Sequence, residues 1–154
     1  MDIVETVLRV VAAILGVVLV LYTIDSALRS FVLPRADRSR LTSIITVLIY
    51  RLMSLRFRPD TPFATKDKIL AMHPPYTMFI LPLIWLANLV IGYTGIYLAL
   101  DPALSVRDAF ILSGSSLMTL GAAFHDGLLI DILAFSQAAL SMMLIALLIG
   151  FLPT

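Results

Sequence analysis

Asp101 and Asp126 bracket a stretch of small and apolar residues, and Gln137 and Ser141 follow it four positions apart. Carboxylates gathered at the mouth of a narrow passage attract cations; in an ordinary loop they are merely solvated, and the residue types fit both readings. Four positions is about one helical turn, so Gln137 and Ser141 share a face. There they can line a water-filled cavity or act as polar glue between helices. His125, beside Asp126, can sense pH or simply be exposed. Asp25 and Arg29, also four apart, suit a salt bridge, while Asp131 can complement the positive end of a helix or pair with Arg107. Metal chemistry has little to work with: cysteine is absent, and the two histidines, His73 and His125, are far apart in sequence. No cluster of His, Asp, Glu or Ser/Lys has catalytic spacing. No enzymatic activity, cofactor or nucleic-acid partner is expected.

The elements that must position these residues lie in a membrane. The chain is 60% hydrophobic and 14% charged, with a mean hydropathy of +1.02, whereas soluble domains carry about 25% charged residues. Residues 6–28, 76–100 and 128–152 each approach or exceed the roughly 20 apolar residues needed to cross hydrocarbon. Asp2 and Glu5 precede the first span without a basic cluster, which does not suit a signal peptide. Nine of the eleven Lys/Arg fall between Arg29 and Lys68. By the positive-inside rule that stretch is cytoplasmic, so the N-terminus is expected outside and the C-terminus inside, in the plasma (inner) membrane. Within it, residues 38–58 carry Leu41, Ile44, Ile45, Leu48, Leu52 and Leu55 at helical spacing, with Arg40, Arg51 and Arg58 on another face. A basic amphipathic helix is expected along the inner leaflet, in contact with anionic lipid, and it can also pack against the bundle. Residues 59–75 read as a linker.

Between the second and third spans, Asp101-Pro102 ends a helix and Ser105-Val106-Arg107-Asp108 starts another as a capping box. Val106–Met118 makes a helix of about 20 Å, short of the roughly 30 Å hydrocarbon core. A helix that stops halfway must be followed by non-helical backbone at membrane depth. Such backbone is tolerated only where it is buried in protein or lines a watery path. Half-helix, turn and return describe a pore loop; the alternative is a plain turn between two helices outside the membrane, which would not need a 13-residue apolar helix.

The segment Ala109–Phe124, AFILSGSSLMTLGAAF, resembles the pore helix and filter of tetrameric potassium-type channels, whose filter reads T-V-G-Y-G-D. Ser113 matches the mid-pore-helix serine, and Thr119, Leu120 and Gly121 match T-V-G. The resemblance covers residues 75–154. It implies an outer helix at 75–100, a pore helix at 105–118, a filter at 119–124 and an inner helix at 128–154. Residues 1–33 would form a peripheral helix and residues 34–74 the basic helix and linker. The implied protein is an all-α membrane homotetramer. Its filter is made by Met118, Thr119, Leu120, Gly121, Ala122 and Ala123, with permeant potassium or sodium at Thr119, Leu120 and Gly121. Asp101 and Asp126 would stand at the mouth, and Gln137 and Ser141 would line the cavity. Ala122, Ala123 and Phe124 depart from Y-G-D, and Met118 replaces a threonine. Filters align carbonyls by alternating backbone handedness, which favours glycine where φ is positive, so weak selectivity is expected. The alternative is a non-conducting scaffold or accessory subunit.

Overall fold

The computed structural model of the chain describes residues 3–32, 40–55, 67, 70–121 and 127–150. Among these residues five helices are delimited: α1 (Ile3–Val32), α2 (Arg40–Ser54), α3 (His73–Leu100), α4 (Val106–Leu117) and α5 (Leu128–Gly150). α1, α3 and α5 are long and apolar enough to cross a membrane, which marks the chain as an integral membrane protein. At 1.5 Å per residue even α5, with 23 residues, reaches about 35 Å, more than the roughly 30 Å of hydrocarbon. α1 extends to Val32 rather than ending at residue 28. The Asp25–Arg29 pair, 2.8 Å apart and four positions apart, supports that extra turn.

α1 and α3 run antiparallel with their backbones in contact. A Cβ built on Gly95 would lie 2.5 Å from the Ala12 carbonyl oxygen, and one on Gly92 would lie 2.9 Å from that of Gly16. One on Gly16 would collide with the Gly92 carbonyl in turn. Water expulsion cannot drive helix association in lipid, so small residues that let backbones approach supply the attraction as dispersion. Farther along the seam Trp85, with 0% of its surface exposed, donates its indole N–H to Ser26 Oγ at 3.2 Å. At the opposite end Arg9 donates to the carbonyl oxygens of Leu98 (2.7 Å) and Asp101 (3.2 Å). These belong to the C-terminal end of α3, where carbonyls lack helical partners and the dipole favours a cation. Glu5 balances the guanidinium at 3.0 Å.

α2 lies across the other ends of α1 and α3. Thr42 shares a 2.7 Å hydroxyl hydrogen bond with Ser30 of α1. His73 Nε2 is 3.1 Å from the Thr46 carbonyl oxygen, an acceptor only, so the ring nitrogen carries the proton in that bond. Tyr50 meets the same imidazole edge-on, with centroids 6.1 Å apart. Thr42, Ile45 and Ile49 are buried against the bundle, whereas Ile44, Leu48, Leu52 and Leu55 are exposed. The single apolar face expected from sequence is therefore split, with Ile45 turned inward and its expected companions Ile44, Leu48, Leu52 and Leu55 left outside.

Candidate functional site

α4 begins in a tight corner after α3. The Asp101 carboxylate accepts the Ala103 N–H at 2.8 Å, an Asx-type turn that suits the Pro102 backbone. Ser105 then caps α4. Its Oγ accepts the Asp108 N–H at 3.1 Å and donates to the Asp108 carboxylate at 2.6 Å. Ser105 is thus the cap anticipated from Ser-x-x-Asp, and it satisfies an amide that would otherwise lack a helical partner; the Asp108 carboxylate meets the Ser105 hydroxyl rather than its backbone N–H.

α4 is then held along its length by buried polar groups. Ser113 Oγ donates to the Val90 carbonyl of α3 at 2.9 Å and accepts the Gln137 side-chain amide of α5 at 2.8 Å. Tyr97 donates to the other end of that amide at 3.3 Å. Ser141 Oγ lies 2.8 Å from the Leu117 carbonyl in the last turn of α4 and 2.8 Å from Ala138 O, so its single proton is shared. Gln137 and Ser141 are 0% and 1% exposed. They do not face open space in the protomer; the half of the sequence reading that made them interhelical glue describes this geometry. An amide and a hydroxyl in an apolar bundle seek partners because an unpaired buried polar group is costly, and α4 presents a hydroxyl and a free terminal carbonyl at the right height.

The pairing also fixes direction. Ser113 meets Gln137 and, four residues on, Leu117 meets Ser141, so α4 and α5 run parallel. Leu117 therefore sits beside a point 13 residues into α5, about 20 Å from its start. The two ends of the connection from α4 to α5 differ in height by that amount.

At the tip, α4 closes with a Schellman pattern. Leu120 N–H donates to Ser115 O at 2.9 Å and Thr119 N–H to Ser116 O at 3.2 Å, the paired bonds that end many helices. The position that must turn left-handed is usually glycine, yet here it is Thr119 with φ of 54°. A β-branched residue in that region is strained, by roughly 1–2 kcal/mol. Gly121 also has a positive φ, 60°, while Leu120 between them does not. Met118 and Leu120 are 58% and 69% exposed, and the Thr119 hydroxyl turns back to the Met118 carbonyl at 2.7 Å.

Of the residues singled out from sequence, Met118 to Gly121 thus form the tip of α4. Ala122, Ala123, Phe124, His125 and Asp126 lie outside the described residues. Asp101 is half-buried, with its carboxylate engaged in the corner. Arg107 and Asp131 are both exposed, and among the described residues no ion pair joins them. Tyr97 reads from sequence as an anchoring or packing aromatic; its bond to Gln137, and that of Arg9 to the end of α3, were not read there. A tyrosine or arginine within an apolar run always needs a polar partner, and that need was the available signal. Among the described residues no group of three His, Cys, Asp or Glu could hold a metal ion. No protein-family model, no curated protein and no solved structure matches this chain.

Proposed function

We propose that the chain assembles as a homotetramer around a cation pore, with α4 as a re-entrant half-helix and residues 118–123 as the filter. The observation that carries this reading is the tip of α4. Its exposed, non-helical backbone at Met118–Gly121 lies about 20 Å along α5 from that helix's start. If α5 spans the bilayer, that backbone lies at membrane depth, where its carbonyls need either protein or a watery path. One protomer leaves them uncovered; copies arranged about an axis would enclose them.

Two details support an ion path rather than a plain turn. The sign of φ alternates over Thr119, Leu120 and Gly121, as an alternating filter backbone would require. The C-terminal end of α4, with its partial negative charge, faces the same place. In this reading Asp101 and Asp126 stand near the outer mouth. The N-terminus and the corner after α3 are external, and α2 is cytoplasmic, as the basic cluster demands. Met118, Ala122 and Ala123 flank the three coordinating residues without supplying a hydroxyl, so potassium and sodium are separated weakly. The protein acts as a conductor and carries no catalytic role or resident cofactor. The second reading, a non-conducting accessory subunit, is favoured by one detail: the Thr119 hydroxyl is engaged with Met118 O and would have to turn away to meet an ion.

The test is purified protein in liposomes. Flux of potassium and sodium with exclusion of chloride is expected, together with a small reversal potential under bi-ionic potassium/sodium conditions. Replacing Ala122-Ala123 with Tyr-Gly should enlarge that potential. A stable tetramer that passes no cation would select the accessory-subunit reading, and a monomer or two-fold dimer by native mass would overturn both the pore and its symmetry.

A further inference from the structure

We infer that α2 is seated in the lipid surface at the His73 end of the bundle. Its stripe Ile44, Leu48, Leu52 and Leu55 enters the acyl layer of an anionic leaflet, and Arg40 and Arg51 lie at the phosphate level. This does not depend on conduction; it holds for a channel and for an accessory subunit alike.

Four directions around α2 carry the argument. Thr42, Ile45 and Ile49 face the bundle and are buried. At about 100° per residue the exposed stripe points roughly a quarter-turn or slightly more away from that face. Tyr50 and Ser43, both exposed, fall on the side away from the stripe. Arg40 and Arg51, exposed, fall between the stripe and that polar side, farthest from the bundle. A helix lying flat at an interface and touching protein along one flank needs this order: protein, acyl chains, headgroups, water.

The position of the helix agrees. α2 is tied to Ser30 near the end of α1 and to His73 at the start of α3, so it lies where two spans leave the bilayer. Leu55 and Ile44, 80% and 67% exposed, would be costly in water at that place but not in acyl chains. The basic side chains select the occupant: anionic headgroups attract juxtamembrane Arg within a Debye length, whereas a second copy of α2 would oppose arginine to arginine.

The chain has no cysteine, which gives a clean test. A small fluorophore is attached singly at Leu48→Cys, Leu52→Cys, Ser43→Cys or Tyr50→Cys in the full-length protein. Each protein is reconstituted into phosphatidylcholine/phosphatidylglycerol vesicles with or without brominated acyl chains. Bromolipid should quench the labels at 48 and 52 several-fold more than those at 43 and 50, which aqueous iodide should quench instead. Arg40→Gln with Arg51→Gln, or vesicles of phosphatidylcholine alone, should each reduce the bromolipid quenching at 48 roughly twofold. Equal quenching at all four sites would overturn the orientation. Protection of 48 and 52 from both quenchers would show that protein covers the stripe and would overturn the lipid assignment. Full quenching in neutral vesicles would overturn the role given to the arginines.

Discussion

Where α1 meets α3, Ala12, Gly16, Gly92 and Gly95 bring backbone against backbone with no room for a methyl group. Where α4 meets α3 and α5, the contact is a chain of hydroxyl and amide groups from Val90 through Ser113 and Gln137 to Tyr97, with Ser141 reaching the last turn of α4. The first seam is specified by shape. At its glycine centre it tolerates no change of volume and makes no demand on direction; directed bonds, Trp85 to Ser26 and Arg9 to the Leu98 and Asp101 carbonyls, come only toward its ends. The second is specified by direction, because each group must find its donor or acceptor, and a short helix gains from it what it lacks in contact area. A 12-residue helix has little packing surface, and isolated helices of that length are marginal. Buried hydrogen bonds fix both its height and its rotation. α1 and α3 are joined chiefly by the closeness of their backbones, and the short helix by chemistry.

The largest effect should come from breaking the first seam. Gly92→Leu places side-chain atoms where Gly16 O and Val20 already lie. Overpacking of this kind costs about 3 kcal/mol, and with backbone as the obstacle relaxation is limited. A large fall in thermal midpoint by fluorescence-detected size exclusion is expected, whatever lipid or salt is present. A variant as stable as wild type would mean that the two backbones do not touch.

The tip of α4 offers a change of opposite sign. Thr119→Gly removes the left-handed strain at φ of 54° and should stabilise the protomer by up to roughly 1–2 kcal/mol, less the lost hydroxyl bond to Met118 O. If threonine is kept there for its oxygen, cation flux should fall while the thermal midpoint rises. A fall in both would place the strain elsewhere.

The smallest effect tests the outlying member of the second seam. Tyr93 shares a 2.8 Å hydrogen bond with Ser136, beside the Tyr97–Gln137 pair. Interhelical hydrogen bonds inside membrane bundles average about 0.6 kcal/mol, so Tyr93→Phe should lower the midpoint only slightly. A loss several times larger would show that the two tyrosines act as one network, which a Tyr93→Phe/Gln137→Leu double-mutant cycle would measure.

Much of the fold was legible because its signals are local. Apolar length gave the three spans, and the Ser105–Asp108 spacing gave the start of α4. What was not legible depends on rotation about helix axes. The spacing of Gln137 and Ser141 put them on one face, but nothing in it said whether that face meets water or α4. The same holds for α2, where the sequence offers apolar residues over a wide arc and does not say that the bundle takes the Ile45 side and leaves Ile44, about 100° away, outside. The glycine seam was readable in principle from Ala12 and Gly16 at a four-residue interval, the usual mark of close helix crossing. Alone on one helix it names no partner, and only the antiparallel alignment with Gly92 and Gly95 supplies one.

The parallel course of α4 and α5 sets an order of events during synthesis. α1 and α3 can find each other as soon as both have left the ribosome, since their seam needs nothing that comes later. α4 emerges next, too short to be inserted as a span in its own right, and the amide and hydroxyl that will grip it belong to a helix not yet made. Until Gln137 and Ser141 arrive, Ser113 has only Val90 O and the Leu117 carbonyl has no side-chain partner. If α4 is the re-entrant half-helix proposed above, it waits at the membrane surface until its successor draws it in. A tethered nascent chain in which α4 has left the ribosome and Gln137 has not would then hold a finished α1–α3 pair and an α4 still accessible to water.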